Sequence, residues 1–246
     1  MLPRMEMSLL LTLLGKRTGS PLRSERLVLV SPNRSHYNEW AELRGRSRQH
    51  LEPFEPQWSH DELSRAAYRR RLRRYAFERR EGAGFAFFIF RSSDAAMVGG
   101  MTLSGVRRGV TQSASVGYWI GRPFIRQGYA TEALRTVSQF AFENLRLHRV
   151  DAACMPRNAG SIAVLGGGGF RQEGLARRFL KINGRWEDHL LFARLADEKS
   201  GAGARPGRFP MEFQSQWRRP EVLPGGERQI DIPMVARVRD CEGPIA

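Results

Sequence analysis

Cysteine is scarce in this sequence. Only Cys154 and Cys241 occur among the 246 residues, and they lie far apart in the chain. Such a pair provides neither the disulfide framework of a small secreted protein nor the closely spaced thiols of a zinc site. We therefore expect a protein of the reducing cytoplasm that binds no metal.

Long apolar runs are lacking as well. The apolar run near the N-terminus covers residues 7–14, whereas a membrane-spanning helix needs about 20 apolar residues. Gly15-Lys16-Arg17 follows this run and does not match the small-residue cleavage site of a signal peptide. Residues 1–22 are predicted to form a flexible leader, and no membrane segment is expected.

Acidic residues are fewer than basic residues in this sequence. The chain has 25 Asp and Glu against 40 Lys and Arg, which gives a formal net charge of +15 at pH 7. This excess favours an acidic partner such as RNA, a ribosome or an anionic cofactor. An arginine-rich genome would produce the same excess, and both explanations stay open because net charge bears on association and not on fold.

Residues 116–135 match neither of the two common phosphate loops, G-x-x-x-x-G-K-[ST] and G-x-G-x-x-G. They nevertheless have the pattern of an apolar strand, a turn that contains Gly128, and a helix with Thr131 as a candidate N-cap. The free N–H groups and the positive dipole end of a helix start converge on such a turn. A ligand that carries phosphate is therefore predicted here.

This stretch resembles the pyrophosphate loop of the GNAT N-acetyltransferases, [QR]-x-x-G-x-[GA]. Gly128 and Ala130 occupy the two small positions, and Ile125 stands where Gln or Arg is usual. The longer string G-Y-W-I-G-x-P-F-x-x-x-G-Y-A-T-E-A-L is similar to the branch that contains RimJ and RimL, which acetylate the N-termini of ribosomal proteins.

The resemblance covers about residues 23–195 and implies an α/β (α+β) fold. This GNAT acyl-CoA N-acyltransferase fold has a mixed central sheet of about seven strands with a splayed parallel pair, flanked by helices. Periodicity and turn signals predict strands at 27–30, 85–90, 95–103, 112–120, 147–154, 179–182 and 186–195, the last two joined by an Asn183-Gly184 hairpin, and helices at 35–44, 131–144 and 158–165. One domain at 23–196 is expected, followed by a disordered Gly- and Pro-rich tail at 197–246.

The resemblance also implies that acetyl-CoA is the co-substrate. Backbone groups of Trp119, Ile120 and Gly121 would pair with its pantetheine. Its pyrophosphate would lie on Arg126, Gln127, Gly128, Tyr129, Ala130 and Thr131.

A second motif resembles N-x-x-S-x-x-x-x-x-x-G-F and runs from Asn158 through Ser161 to Gly169-Phe170. The resemblance implies that Ser161 protonates the leaving thiolate and that Asn158 binds the cofactor or the amine. A helix N-cap is the alternative role for Ser161. Phe179 occupies the position of the Tyr that often serves as the acid in the family.

Residues 166–169 are all glycine, and the family usually has charged helix formers where three of these glycines stand. Each Gly inside a helix costs about 1 kcal/mol relative to Ala, so a frayed helix is predicted. No general base stands out, because Glu132, Asp188 and His189 are candidates that each have a structural alternative.

Residues 50–58 contain two prolines and two large aromatic residues, and they are predicted to form an ordered loop or extended turn. They resemble the L-x-P-W-E-P segment beside the acceptor groove of the RimJ branch. The resemblance implies that Phe54, Glu55 and Trp58 bind substrate. A hydrophobic plug over the core is an equally open role.

A helix that Asp61 is expected to cap follows this segment. Its apolar line is surrounded by arginines at positions 65, 69, 70, 71, 73, 74, 79 and 80. This surface could contact the phosphates of RNA, or it could be a solvated face with ion pairs.

The first hypothesis is therefore an N-acetyltransferase that moves acetyl from acetyl-CoA to the N-terminal α-amine of a protein such as a ribosomal protein. An amino-sugar, polyamine or antibiotic acetyltransferase is the first alternative. A non-catalytic module that binds acyl-CoA or RNA is the second.

Overall fold

The computed structural model describes residues 20–198 of the chain. These residues form one eight-stranded sheet with the order β1-β2-β3-β4-β5-β6-β8-β7. The strands are β1 Leu22–Arg23, β2 Leu27–Val30, β3 Phe85–Arg91, β4 Met97–Arg107, β5 Ser113–Ile120, β6 Arg149–Cys154, β7 Arg171–Ile182 and β8 Arg185–Leu195. The α-helices are α1 Tyr37–Arg46, α2 Arg48–Leu51, α3 Arg65–Arg80, α4 Tyr129–Glu143 and α5 Ala159–Gly167. The predicted leader and tail lie almost entirely outside the described residues.

The predicted count of seven strands was one too low. The additional strand is β1, whose two residues pair antiparallel with β2. So short a strand contains too few residues to show the alternation of apolar and polar side chains that predicts a strand.

Helices cover both faces of the sheet because the strands alternate. In β3, Phe87 and Ile89 belong to a large buried cluster with α4, whereas Phe88 belongs to a second cluster with α1 and α3. Successive side chains of a strand point to opposite faces, so these two clusters lie on opposite sides of the sheet. The cluster with α4 includes Ala133 and Leu134, which are fully buried.

Two predicted helix starts were wrong. Helix α3 begins after Ser64, whose side chain accepts a hydrogen bond from Ala67 N, and Asp61 lies in the preceding turn. Helix α4 begins after Gly128, two residues before the predicted start, so Thr131 lies inside its first turn. Gly128 has no side chain with which to cap the helix, and the propensity for side-chain capping therefore could not identify it.

Residues 50–58, predicted to form an ordered loop or extended turn, are helical as far as Phe54. Helix α2 passes directly into a 3₁₀ turn at Glu52–Phe54. Pro53 is compatible with this geometry, because a proline in the first turn of a helix removes only an N–H that would have no intrahelical partner.

The predicted hairpin is confirmed, although its first strand is longer than expected. Asn183 and Gly184 both have positive φ, +42° and +81°, as the two central residues of a type I′ hairpin turn require. Strand β7 already begins at Arg171. A register shift between Ala176 and Leu180 interrupts its period-two alternation, which explains why the sequence pattern revealed only its last part.

Candidate active site

The parallel pair β5 and β6 separates after three residues. Ser113, Ala114 and Ser115 pair with residues of β6, but the rest of β5 pairs only with β4. The end of β6, up to Cys154, pairs only with β8. The predicted splayed pair is therefore present, and it opens a gap whose edges are the last residues of β5 and β6.

The predicted pantetheine contacts are available only in part. Trp119 and Ile120 lie on the open stretch of β5, opposite Gly100 and Gly99 of β4. The N–H of Gly121 instead donates to Val98 O at 2.9 Å, and its carbonyl accepts from Phe124 N at 2.9 Å. The backbone of Gly121 is thus already occupied, and the prediction that it is unpaired was wrong.

The predicted pyrophosphate loop leads into α4 with an unusual backbone. Arg126 and Gly128 both have left-handed conformations, with φ of +61° and +81°. The first helical hydrogen bond runs from Glu132 N to Gly128 O at 3.1 Å. The N–H groups of Tyr129, Ala130 and Thr131 precede it and have no intrahelical acceptor. Donors of this kind at a helix start suit a phosphate.

Arg26, which directly precedes β2, contacts this loop through its side chain. Its guanidinium donates to Gln127 O at 3.1 Å and lies 4.9 Å from the centre of the Tyr129 ring. It also forms an ion pair with Glu132 at 2.7 Å. Ser24 Oγ and Arg26 N donate to the same carboxylate, each at 2.8 Å. Glu132 therefore anchors the loop, which makes it a poor candidate for the general base.

A pair of hydroxyls lies at the open end of the gap. Tyr118 OH and Ser161 Oγ are 2.7 Å apart, and Cys154 ends the facing strand. Burial raises the pKa of the Tyr118 hydroxyl well above its ordinary value, and the bond to Ser161 opposes this effect only in part. Burial likewise raises the pKa of the Cys154 thiol to about 11. Both groups are therefore protonated at neutral pH.

Sequence reasoning missed Tyr118. It identified Phe179 as the residue at the usual tyrosine position and found no hydroxyl there. The structure brings a tyrosine to Ser161 from β5 instead. Alternation along β5 places Tyr118 on the same face as Ala114 and Val116, which contact the helices. This alternation along β5 was the sequence signal from which Tyr118 could have been identified.

Asn158 caps α5. Its Oδ1 accepts a hydrogen bond from Ser161 N at 3.0 Å. The alternative role of Ser161 as an N-cap is therefore wrong, and its hydroxyl is available to bond with Tyr118. Asn158 thereby fixes the first turn of the helix that carries Ser161.

The predicted fraying of the glycine run stays a prediction, because the structure shows the conformation of these residues and not how often it opens. Helix α5 continues through Gly166 and Gly167. A Cβ on Gly168 would lie 2.5 Å from Leu134 Cδ2, and Gly169 has a φ of +86°. Arg135 donates from Nε and from a terminal nitrogen to Gly167 O at 3.0 and 2.6 Å. The glycines thus permit close packing of α5 against α4, and an arginine caps the helix end.

The three predicted substrate residues divide into two groups. Both carboxylate oxygens of Glu55 are bound by Arg44, and Trp58 is buried with its indole N–H directed to Glu55 at 2.8 Å. Glu55 and Trp58 thus make packing contacts, the alternative role predicted for this segment, and their contact with substrate stays a prediction. Phe54 is half-buried in the 3₁₀ turn.

Of the other two candidate bases, Asp188 accepts a hydrogen bond from Arg178 N at 2.7 Å. His189 is buried, and its Nδ1 lies 2.9 Å from Glu187 O. A carbonyl only accepts hydrogen bonds, so Nδ1 is the donor in this contact.

Residues 20–198 contain no cluster of three or more His, Cys, Asp or Glu that could hold a metal ion. Within the same range, none of the helices has the length and apolar character needed to cross a membrane.

The sequence and structure place this site in a known family. Residues 26–171, more than half of the chain, match the acetyltransferase (GNAT) domain family. The protein therefore belongs to the GNAT acetyltransferases, enzymes that use acetyl-CoA as the acetyl donor.

Several relatives are informative. A probable N-acetyltransferase of Bacillus subtilis, YjcK, is 38% identical over 62% of this chain and 84% of its own length. The [ribosomal protein uS5]-alanine N-acetyltransferase of Escherichia coli is 29% identical over 73% of this chain and 94% of its own length. Mycobacterium smegmatis RimJ, solved in complex with CoA-disulfide, is 34% identical with a TM-score of 0.68, over 73% of this chain and 88% of that chain.

Proposed function

We propose that this protein transfers acetyl from acetyl-CoA to the N-terminal α-amine of a protein, with ribosomal proteins as the acceptor class. The observation that carries the proposal is the protonated hydroxyl pair of Tyr118 and Ser161 at the open end of the gap between β5 and β6. The acceptor class is supported by the E. coli relative, which acts on an alanine of ribosomal protein uS5.

In the proposed reaction the amine nitrogen bonds to the acetyl carbon while the carbon–sulfur bond breaks. Ser161 Oγ gives its proton to the departing sulfur, and Tyr118 resupplies that proton across the 2.7 Å contact. The Tyr118 hydroxyl is protonated at neutral pH, and because burial raises its pKa it gives up that proton only to a strong base such as the Ser161 alkoxide.

The amides of residues 127–131 would hold the pyrophosphate, and Trp119 and Ile120 would present backbone groups to the pantetheine. We assign the proton of the acceptor amine to the imidazole of His189, whose Nδ1 is already bound to Glu187 O at 2.9 Å. Glu132 is excluded from that role by its contacts with Arg26 and Ser24.

We further propose that α3 contacts ribosomal RNA through Arg69 and Arg73. Most other arginines of α3 have partners: Arg70, Arg71, Arg74 and Arg80 pair with Asp61, Glu62, Glu78 and Glu81. Arg69 and Arg73 are exposed and lie one helical turn apart, and neither forms an ion pair within residues 20–198. If both contact phosphates, replacing both with Ala should reduce the salt slope of RNA binding by about two.

The decisive experiment follows free-thiol release by the full chain with acetyl-CoA and several acceptors. We expect release with peptides that begin with Ala or Ser, and none with spermidine or an aminoglycoside. The matched variant is Tyr118→Phe, which keeps the ring but loses the hydroxyl.

If only the small amines are acetylated, the result would favour the first alternative, an acetyltransferase of small-molecule amines. Saturable acetyl-CoA binding in calorimetry without turnover of any acceptor would favour the binding module instead. Failure to bind acetyl-CoA would contradict the enzyme assignment altogether.

A further inference from the structure

The segment expected to face the acceptor is organised around one buried arginine. Arg44 lies in the last turn of α1, and its side chain is 5% exposed. Its two terminal nitrogens bind the two oxygens of Glu55 at 3.0 and 2.6 Å. Its guanidinium carbon lies 4.5 Å from the ring centre of Trp58 and 5.1 Å from that of Trp119.

These contacts join three parts of the chain around the gap. Trp119 follows Tyr118 in β5, so Arg44 touches the strand that carries the proton donor. Glu55 and Trp58 belong to the segment after α2. Glu55 O also accepts a hydrogen bond from Asn183 N at 3.0 Å, in the turn between β7 and β8.

The end of α1 is also fixed to the residues that directly follow β5. Ser47 Oγ accepts a hydrogen bond from Arg122 N at 2.9 Å. A Cβ on Gly121 would lie 2.4 Å from Leu43 Cδ1, so only glycine allows this approach. Arg44 therefore extends from a rigid base toward the segment after α2.

Stability alone does not account for this arrangement. Burying an ion pair costs desolvation, and well-packed apolar residues are often as stable. The Nε of Arg44 is also buried with no hydrogen-bond partner among the described residues, which is unfavourable. Arginine is nevertheless suited to the geometry, because its planar fork binds a carboxylate at two points and stacks on aromatic rings, which lysine does not do.

We propose that Arg44 is a positioning residue for the acceptor. It holds residues 52–58 against β5 and, through Glu55, against the turn at 183–184, so that the acceptor groove is formed before the acceptor enters. This inference rests on the proposed function, because that function assigns the groove to an acceptor amine.

The test compares three variants of the full chain. Arg44→Lys keeps the charge but loses the two-point contact, and the double variant Arg44→Met, Glu55→Met replaces the pair with apolar side chains. Arg48→Lys is the matched control: Arg48 pairs with Glu52 and also lies near Trp58, but its side chain is 57% exposed.

We expect the KM for an N-terminal peptide to rise roughly 10-fold in Arg44→Lys and in the double variant, because the groove must be ordered on binding. The Kd for acetyl-CoA should stay within about 2-fold of the parent, because Arg44 contacts the ring of Trp119 and not the backbone groups assigned to the pantetheine. Its other contacts lie outside the pyrophosphate loop. Amide hydrogen exchange should become faster at residues 52–58 and 180–186. Arg48→Lys should change none of these quantities.

A stable double variant with the parent's peptide KM and the parent's exchange rates would overturn the role of Arg44. If the parent itself acetylates no peptide, the proposed function fails instead. The exchange comparison between Arg44→Lys and Arg48→Lys still decides whether Arg44 holds these segments. Faster exchange only in Arg44→Lys supports it, and equal exchange in both variants refutes it.

Discussion

At the scale of single residues, the hydroxyl pair of Tyr118 and Ser161 should determine the rate of the chemical step. Tyr118→Phe and Ser161→Ala are each expected to lower kcat by about 100-fold, the usual size of a general-acid contribution. The Kd for acetyl-CoA should change little, because neither hydroxyl belongs to the pyrophosphate loop. Single-turnover kinetics together with calorimetry would separate the two effects, and an unchanged kcat in Tyr118→Phe would remove Tyr118 from the mechanism.

Cys154 offers a test of the environment around that pair. Burial raises the pKa of its thiol to about 11, although a hydrogen bond with Ser161 acts in the opposite direction. Thiol reagents attack the thiolate, so alkylation of the native protein should be slow at pH 8 and should accelerate as the pH approaches 11. The measurement uses a Cys241→Ser variant to leave one cysteine. Fast alkylation at pH 8 would show that the thiol is more accessible than described.

The anchoring of the cofactor loop by Glu132 should depend on pH. Burial alone would raise the pKa of its carboxyl, but hydrogen bonds from Arg26 and Ser24 outweigh burial and lower it. A lowered pKa in the folded state stabilises the protein above the unfolded pKa of about 4.3, and this contribution is lost as the pH falls through the folded value.

Glu132→Gln should therefore reduce stability at pH 7 and make little difference at the acid end. Denaturant unfolding at several pH values would check this expectation. The variant should also bind acetyl-CoA several-fold more weakly, because the loop loses its anchor. An equal loss of stability at every pH would indicate a packing effect instead of an ionic one.

At the scale of elements, the glycines of α5 should respond in opposite directions. A Cβ on Gly166 would meet no heavy atom within 4 Å among the described residues, whereas a Cβ on Gly168 would meet Leu134. Gly166→Ala should raise the free energy of unfolding by about 0.5–1 kcal/mol. Gly168→Ala should lower it by about 1–3 kcal/mol because α5 must move away from α4. Urea unfolding measures both, and equal effects would contradict the packing explanation.

Sequence patterns predicted the elements better than their ends and their contacts. The apolar period of α4, the Asn183-Gly184 turn and the parallel pair were predictable because each follows from local chemistry or from the handedness of crossovers. The start of α4 was not, since Gly128 begins the helix without a capping side chain.

Contacts between distant segments were harder to predict. Tyr118 in β5 meets Ser161 in the first turn of α5, and no local pattern specifies a contact between residues so far apart in the chain. Arg44 looks like one more surface arginine in the sequence. Its burial depends on Glu55 and two tryptophans, and on the packing of α1 against the sheet.

At the scale of the whole molecule, residues 20–198 should fold without the remainder of the chain. Both buried clusters and every residue assigned to the site lie within this range. The isolated fragment should unfold in one cooperative transition and bind acetyl-CoA with a Kd within about 2-fold of that of the full chain. Calorimetry on both proteins tests this, and a fragment that binds far more weakly would assign a role to the omitted residues.

The short pairing between β5 and β6 has a mechanical consequence. Within the described sheet, three residue pairs join the five strands on one side to the three strands on the other. Such a junction is where a sheet would part first under load or during local opening. A ligand that binds both sides of this junction stabilises the closed sheet. By mass action, opening becomes rarer as the ligand concentration rises. If the donor binds in this gap as proposed, the resistance of the protein to opening would depend on the concentration of that donor.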